Sequence, residues 1–379
     1  MHPINHTLAA EFPLRDDVIY LNHAAVSPWP VRTKNAVVQF AQENVVQGSR
    51  NYLQWLDTET RLRQHMRQLI NAGSADDIAL LKNTSEALSV VAFGLDWQAG
   101  ENIVSFSGEF PSNRVVWEAL SPKGVELRKA DLTADDPEQA LFDSVDKHTR
   151  LIAISSVQYA TGLQLDLRRI GDFCRKNNIL FCVDAIQGIG ALQFDVQEIQ
   201  ADFVMADGHK WMLGPEGVAL FYCRPERREA LTLHQFGWHM TDAFTAYDKE
   251  QWKPATTARR FECGSPNMLG IHALEASLSL LLETGMQTVE AMVTQNSDYL
   301  FEGIKASKQL ELLTDCTPGR YAGIVTFRHR HTDNDTLFSA LTEQGVMCAQ
   351  RGGGIRFSPH FYTPRDKLRQ ALDIAAAVT

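Results

Sequence analysis

The sequence lacks paired cysteines, a basic stretch and any long apolar run. Six cysteines (Cys174, Cys182, Cys223, Cys263, Cys316 and Cys348) stand singly, without C-x-x-C spacing, and three lie in or beside apolar strand-like runs. That scatter fits reduced thiols in a cytoplasmic protein, and no metal site is expected. No apolar run reaches the roughly 18 residues of a membrane span, and the opening MHPINHTLAAEFPLRDD has no basic start followed by an apolar region. A net charge of −10, with no basic stripe to offset it, argues against a nucleic-acid or anionic-membrane surface. What remains is an ordinary globular composition, 44% apolar and 22% charged over 379 residues, enough for one large domain and a smaller one.

Two apolar runs, 179–183 (ILFCV) and 202–206 (DFVMA), each end on a polar cluster. Such runs, separated by polar and partly helical segments, read as buried parallel strands, and ligands of open parallel sheets bind beyond the carboxyl ends of the strands. The first run delivers Asp184 and Gln187, the second His209 and Lys210. An acid and a lysine at two such ends are what a pyridoxal phosphate site needs: an amine for the Schiff base and a carboxylate for the protonated ring nitrogen. Gly188-Ile189-Gly190 is not a dinucleotide fingerprint, because Gln193 occupies the third glycine position.

The segments VDAIQG and ADGHKWMLGPEG, with YLNHAA near the start and GGIRFSPHFYT near the end, resemble the class V aminotransferase family of fold-type I pyridoxal phosphate enzymes. That family includes cysteine desulfurases, kynureninases and isopenicillin-N-epimerase-like proteins. The resemblance implies an α/β fold: a large domain over residues 16–284 with a mostly parallel sheet, and a smaller α+β domain over 285–379 joined by an N-terminal arm, 1–15. Pyridoxal 5'-phosphate is the implied cofactor and Lys210 the Schiff-base lysine.

Other residues take roles from the same resemblance. Thr84 and Ser85 enter a helix after a short strand, where free amides and hydroxyls suit a phosphate, although the same residues serve as an ordinary N-cap. Phe110 stacks on the cofactor ring, where desulfurases typically carry histidine; it packs but moves no proton. Ser156 stands where many relatives have asparagine. Asp184 pairs with the ring nitrogen, Gln187 donates to the phenolic oxygen, and His209 approaches the phosphate. Asp207 departs from the pattern, since relatives place a phosphate-donating serine there and an ionised carboxylate cannot donate. Ser265 reaches the phosphate of a partner subunit, implying a homodimer, or caps a helix. His23 forms a wall of the substrate side or caps a turn. Arg356 grips the α-carboxylate of a small amino-acid substrate, a task for a planar bidentate donor.

The reaction is expected to be β-elimination of the Cβ–S lyase type. A desulfurase needs a mobile cysteine well upstream of the carboxylate arginine; residues 341–347 contain none, and Cys348 lies in a strand-like run. Transamination and epimerisation are the alternatives, and a non-catalytic pyridoxal phosphate protein is a further one.

Overall fold

The computed structural model describes residues 6–246, 248 and 250–378; the first five residues of the expected N-terminal arm lie outside it. Helix α1 (His6–Glu11) and the short strand β1 (Ile19–Tyr20) lead into two long helices, α2 (Val31–Gln47) and α3 (Tyr52–Leu69). The sheet strands follow, interleaved with helices: β2 (Ile78–Leu81), α4 (Thr84–Gly94), β3 (Asn102–Phe106), α5 (Ser112–Glu118), β4 (Glu126–Ala130), α6 (Pro137–Asp143), β5 (Thr149–Ser155), α7 (Leu167–Asn177), β6 (Leu180–Asp184), β7 (Phe203–Asp207) and β8 (Ala219–Cys223). They form one seven-stranded sheet in the order β2-β8-β7-β6-β5-β3-β4. All neighbours from β7 to β4 run parallel, while β8 is antiparallel to both β2 and β7. Parallel neighbours need a long crossover, supplied by helices or, between β6 and β7, by an irregular segment, whereas the shorter link between β7 and β8 reverses the chain.

The pleat sorts side chains to two faces. Ile152, Ile154, Phe181, Val183, Val204 and Ala206 point into one apolar cluster with α3 and the long helix α8 (Met268–Thr284). Leu151, Ala153, Cys182, Phe203 and Met205 point into a second cluster with α4 and α5. The same alternation carries Ser155, Asp184 and Asp207, at the carboxyl ends of their strands, onto the α4 face.

After α8 come α9 (Met286–Ala306), β9 (Leu310–Leu312), β10 (Val325–His329), α10 (Asn334–Glu343), β11 (Val346–Met347), β12 (Ala349–Arg351), β13 (Gly354–Phe357) and α11 (Arg365–Ala377). Strands β12, β13, β10 and β9 make an antiparallel sheet with its own apolar cluster. Ile19 and Leu21 belong to that cluster, and β1 pairs in parallel with β11. The beginning of the chain is thereby sewn into its C-terminal part. The expected single run through Val346–Ala349 divides at Cys348, because β11 pairs with β1 and β12 with β13.

A buried charged cluster ties the irregular segment before α8 to α3. Arg63 donates to both oxygens of Glu262 and to Glu59, and Glu262 also accepts the Leu80 amide. Among the described residues no helix is long and apolar enough to cross a membrane.

Candidate active site

Lys210 follows β7 and is 8% exposed. Burial pulls its ammonium down to about 8; the nearby carboxylates of Asp184 and Asp207 oppose that fall, and the Arg356 guanidinium adds to it. The amine lies 5.5 Å from the centre of the Phe110 ring. Phe110 is half-exposed and meets Tyr159 edge-on at 5.2 Å. Burial lifts Asp184 to about 6, against the Ile186 amide and the charge of Lys210, which favour its ionised form. The large sheet therefore brings Lys210, Asp184 and Phe110 together, and β13 of the second sheet adds Arg356.

Gln187 is fixed at both ends of its amide. Its carbonyl accepts from Trp211 Nε1 at 2.8 Å and its nitrogen donates to the Ala24 carbonyl at 3.0 Å. One amide hydrogen is left for a guest. Gly190 completes this turn with φ of 94°; a Cβ there would stand 2.4 Å from the Trp211 carbonyl oxygen. Close backbone approach, not a dinucleotide, explains that glycine.

At the start of α4 the cap is Asn83, whose side chain accepts from the Glu86 amide while Glu86 accepts from the Lys82 amide. The hydroxyls of Thr84 and Ser85 are thus not needed for capping. Thr84 Oγ1 accepts from the Asp207 amide at 3.1 Å, and Ser85 donates to Ser112 at 2.8 Å. The Asp207 carboxylate turns toward His209, with Oδ1 3.2 Å from Nδ1 but without hydrogen-bonding geometry.

Arg356 is 3% exposed. Its Nη1 donates to the Tyr159 carbonyl at 2.7 Å, and Nη2 lies 3.5 Å from Asn22 Oδ1. Ser265 is exposed, on a cleft of about 260 Å³ that Lys82, Glu86 and Asn267 also line. The cap of α8 is Asn267, which accepts from the Gly270 amide, so the capping alternative for Ser265 is not the one the chain uses. His23 is no wall residue: it is fully buried, with Nδ1 at the Ser358 carbonyl and Nε2 at the Tyr362 hydroxyl. Both ring nitrogens are taken, and the ring packs against Tyr20, Trp211 and His360.

One group escaped the sequence reading. Glu109, beside Phe110, is buried and accepts hydrogen bonds from both the amide and the hydroxyl of Ser155. An acid just past the end of an apolar strand was the signal, the same one that marked Asp184.

Buried strand ends that present a lysine, an acid and an arginine to one space define a lysine-centred site of the carbonyl-chemistry kind. The chain belongs to the class V aminotransferase family: the family model, Aminotransferase class-V, matches residues 19–365. It is 29% identical over 384 residues to a probable cysteine desulfurase of Methanothermobacter thermautotrophicus, covering 95% of this chain and 94% of that protein. Among solved structures it resembles the cystine C-S lyase C-DES in complex with cysteine persulfide (TM-score 0.89, 23% identity, 97% of this chain and 99% of that one). It also resembles a C-DES variant with glycine linked to its PLP cofactor (TM-score 0.91, 22% identity, 98% and 99%).

The residues present fit a phosphorylated pyridine aldehyde. Ser156 Oγ, His209 Nδ1 and Arg356 Nε are buried without a hydrogen-bond partner among the described residues, and buried polar groups left in that condition call for a guest.

Proposed function

We propose that this chain is a pyridoxal phosphate-dependent Cβ–S lyase acting on a small sulfur-containing amino acid. The observation that carries the reading is Lys210: a buried amine brought down to about 8 and shared by Asp184, Arg356 and Phe110. When bound, the cofactor supplies an electron sink for negative charge at the substrate Cα.

Lys210 would hold the cofactor through its amine, and the same amine would take the substrate Cα proton. Asp184 would keep a proton on the ring nitrogen, Gln187 has one amide hydrogen to offer the ring oxygen, and Phe110 would pack against the ring. Ser156 supplies a further hydroxyl at the ring. Thr84, Ser85 and the head of α4, with His209, receive the phosphate. Arg356 orients the substrate carboxylate. The Asp207 carboxylate is turned to His209, 3.2 Å from its Nδ1. The division into a large domain over 16–284 and a small one over 285–379 goes with this reading.

Elimination proceeds without a cysteine relay. Cys348 is buried and its thiol is pushed up to about 12, which leaves almost no thiolate at neutral pH. A cytoplasmic homodimer completes the reading: the six free cysteines support a reducing compartment, and the exposed Ser265 would reach a partner subunit's phosphate.

The test is the absorbance spectrum of the purified protein, then a screen of cysteine and its S-conjugates with and without a keto-acid acceptor. Keto acid and ammonia released without acceptor support the lyase; turnover that needs the acceptor makes the protein a transaminase. No visible-edge band even after added pyridoxal phosphate overturns the reading.

A further inference from the structure

Glu109 and Asp184 are two buried carboxyls of this site, and the roles above use one of them. Glu109 follows Gly108 at the end of β3, and its two oxygens grip Ser155 at both the amide, 2.7 Å away, and the hydroxyl. Ser155 is the register partner of Asp184 across β5 and β6. The grip therefore sets Glu109 beside Asp184. Gln158 reinforces it by donating to the Gly108 carbonyl at 3.1 Å.

The surroundings decide the charge of this pair. Asp184 faces Glu109 from β6 and Asn113 faces it from α5. Lys210 faces Asp184, with Asp207 and Arg356 beyond it. Among the described residues Glu109 has no ion-pair partner. Burial lifts it to about 7, the Ser155 bonds hold it down in part, and the negative charge of Asp184 lifts it further. Two adjacent buried carboxyls do not ionise independently; the pair keeps one proton until the second charge is compensated.

We propose that Glu109 is a positioning residue that acts through Asp184, holding the proton of the pair so that Asp184 stays ionised, and giving it up when a cationic ring binds against Asp184. This rests on the proposed function. Its consequence is a proton count: cofactor binding near neutral pH should release a proton from Glu109 that no other group supplies.

Calorimetric titration of the apoprotein with pyridoxal phosphate, in buffers of different ionisation enthalpy, measures that count. At about pH 7 the wild type should release roughly half a proton more than Glu109→Gln, and at about pH 9, where Glu109 is already ionised, the two should agree. Glu109→Asp should restore the difference near pH 7 even where its affinity is lower. A purely structural role lowers affinity in both variants and leaves the counts equal. Equal counts at both pH values overturn the inference while leaving the cofactor site standing; a wild type that binds no pyridoxal phosphate overturns the proposed function instead. Should Glu109→Gln fail to fold, Ser155→Ala serves: loss of a donor to the carboxylate should move the extra release to higher pH, and an unmoved profile counts against the inference.

Discussion

Lys210 places its amine 5.5 Å from the centre of the Phe110 ring, and the two side chains reach that position from opposite sides of the sheet order, one after β7 and the other after β3. The Lys210 amine is thereby covered by an aromatic face that cannot compete with it for protons. Phe110→Ala should weaken pyridoxal phosphate binding about 2- to 13-fold, as expected for loss of roughly 0.5–1.5 kcal/mol of aromatic contact. Phe110→Tyr should stay close to wild type in the same absorbance titration.

Lys210→Ala should remove the visible-edge absorbance band and all turnover. The apoprotein offers a second reading of the same residue. The folded value of about 8 lies below the unfolded 10.5, so between those values the unfolded chain holds a proton that the folded chain lacks. The resulting penalty on folding is full below about pH 8 and fades as pH rises toward 10.5. Lys210→Met should accordingly stabilise the apoprotein by roughly 2–3 kcal/mol near neutral pH, with the gain shrinking above pH 8. Urea melts at several pH values would show it; a gain that grows with pH would contradict the burial of this amine.

Arg356→Lys keeps the charge and loses the planar fork. The expected result is a KM about 10–100-fold higher with a smaller change in kcat, matching loss of about 1.5–3 kcal/mol from a charge-assisted contact. An unchanged KM would remove Arg356 from the carboxylate site.

Glu262 lies away from the chemistry. Glu262→Gln leaves Arg63 with half its compensation in a buried setting, and should cost about 3–5 kcal/mol in chemical denaturation. The absorbance band at the folded baseline should be unaffected.

Much of the sheet was legible because burial on both faces leaves a plain signature. Strands β6 and β7 fall within one residue of the apolar runs 179–183 and 202–206 that foretold them. Strand β4, with the sequence ELRKA at the sheet edge, was not foreseen, since an edge strand half in water carries polar side chains in place of an apolar run. Lys210, Asp184 and Gln187 stood out for following such runs. Which of Asn83, Thr84 and Ser85 would cap α4 was not legible, because all three side chains can do so. The burial of His23 depends on Ser358 and Tyr362 from the far end of the chain, and no local pattern encodes that meeting.

The pairing of β1 with β11, continued by the bridge between Asn22 and Ser358, has a consequence for biosynthesis. Strand β1 finds its partner only after the chain has been made as far as Val346 and Met347. Until then Ile19 and Leu21 remain uncovered, and Arg356 and Ser358 have not yet been translated. Such distant closure comes late in folding, so a nascent chain can complete its seven-stranded sheet and position Lys210 before Arg356 has been added to the site.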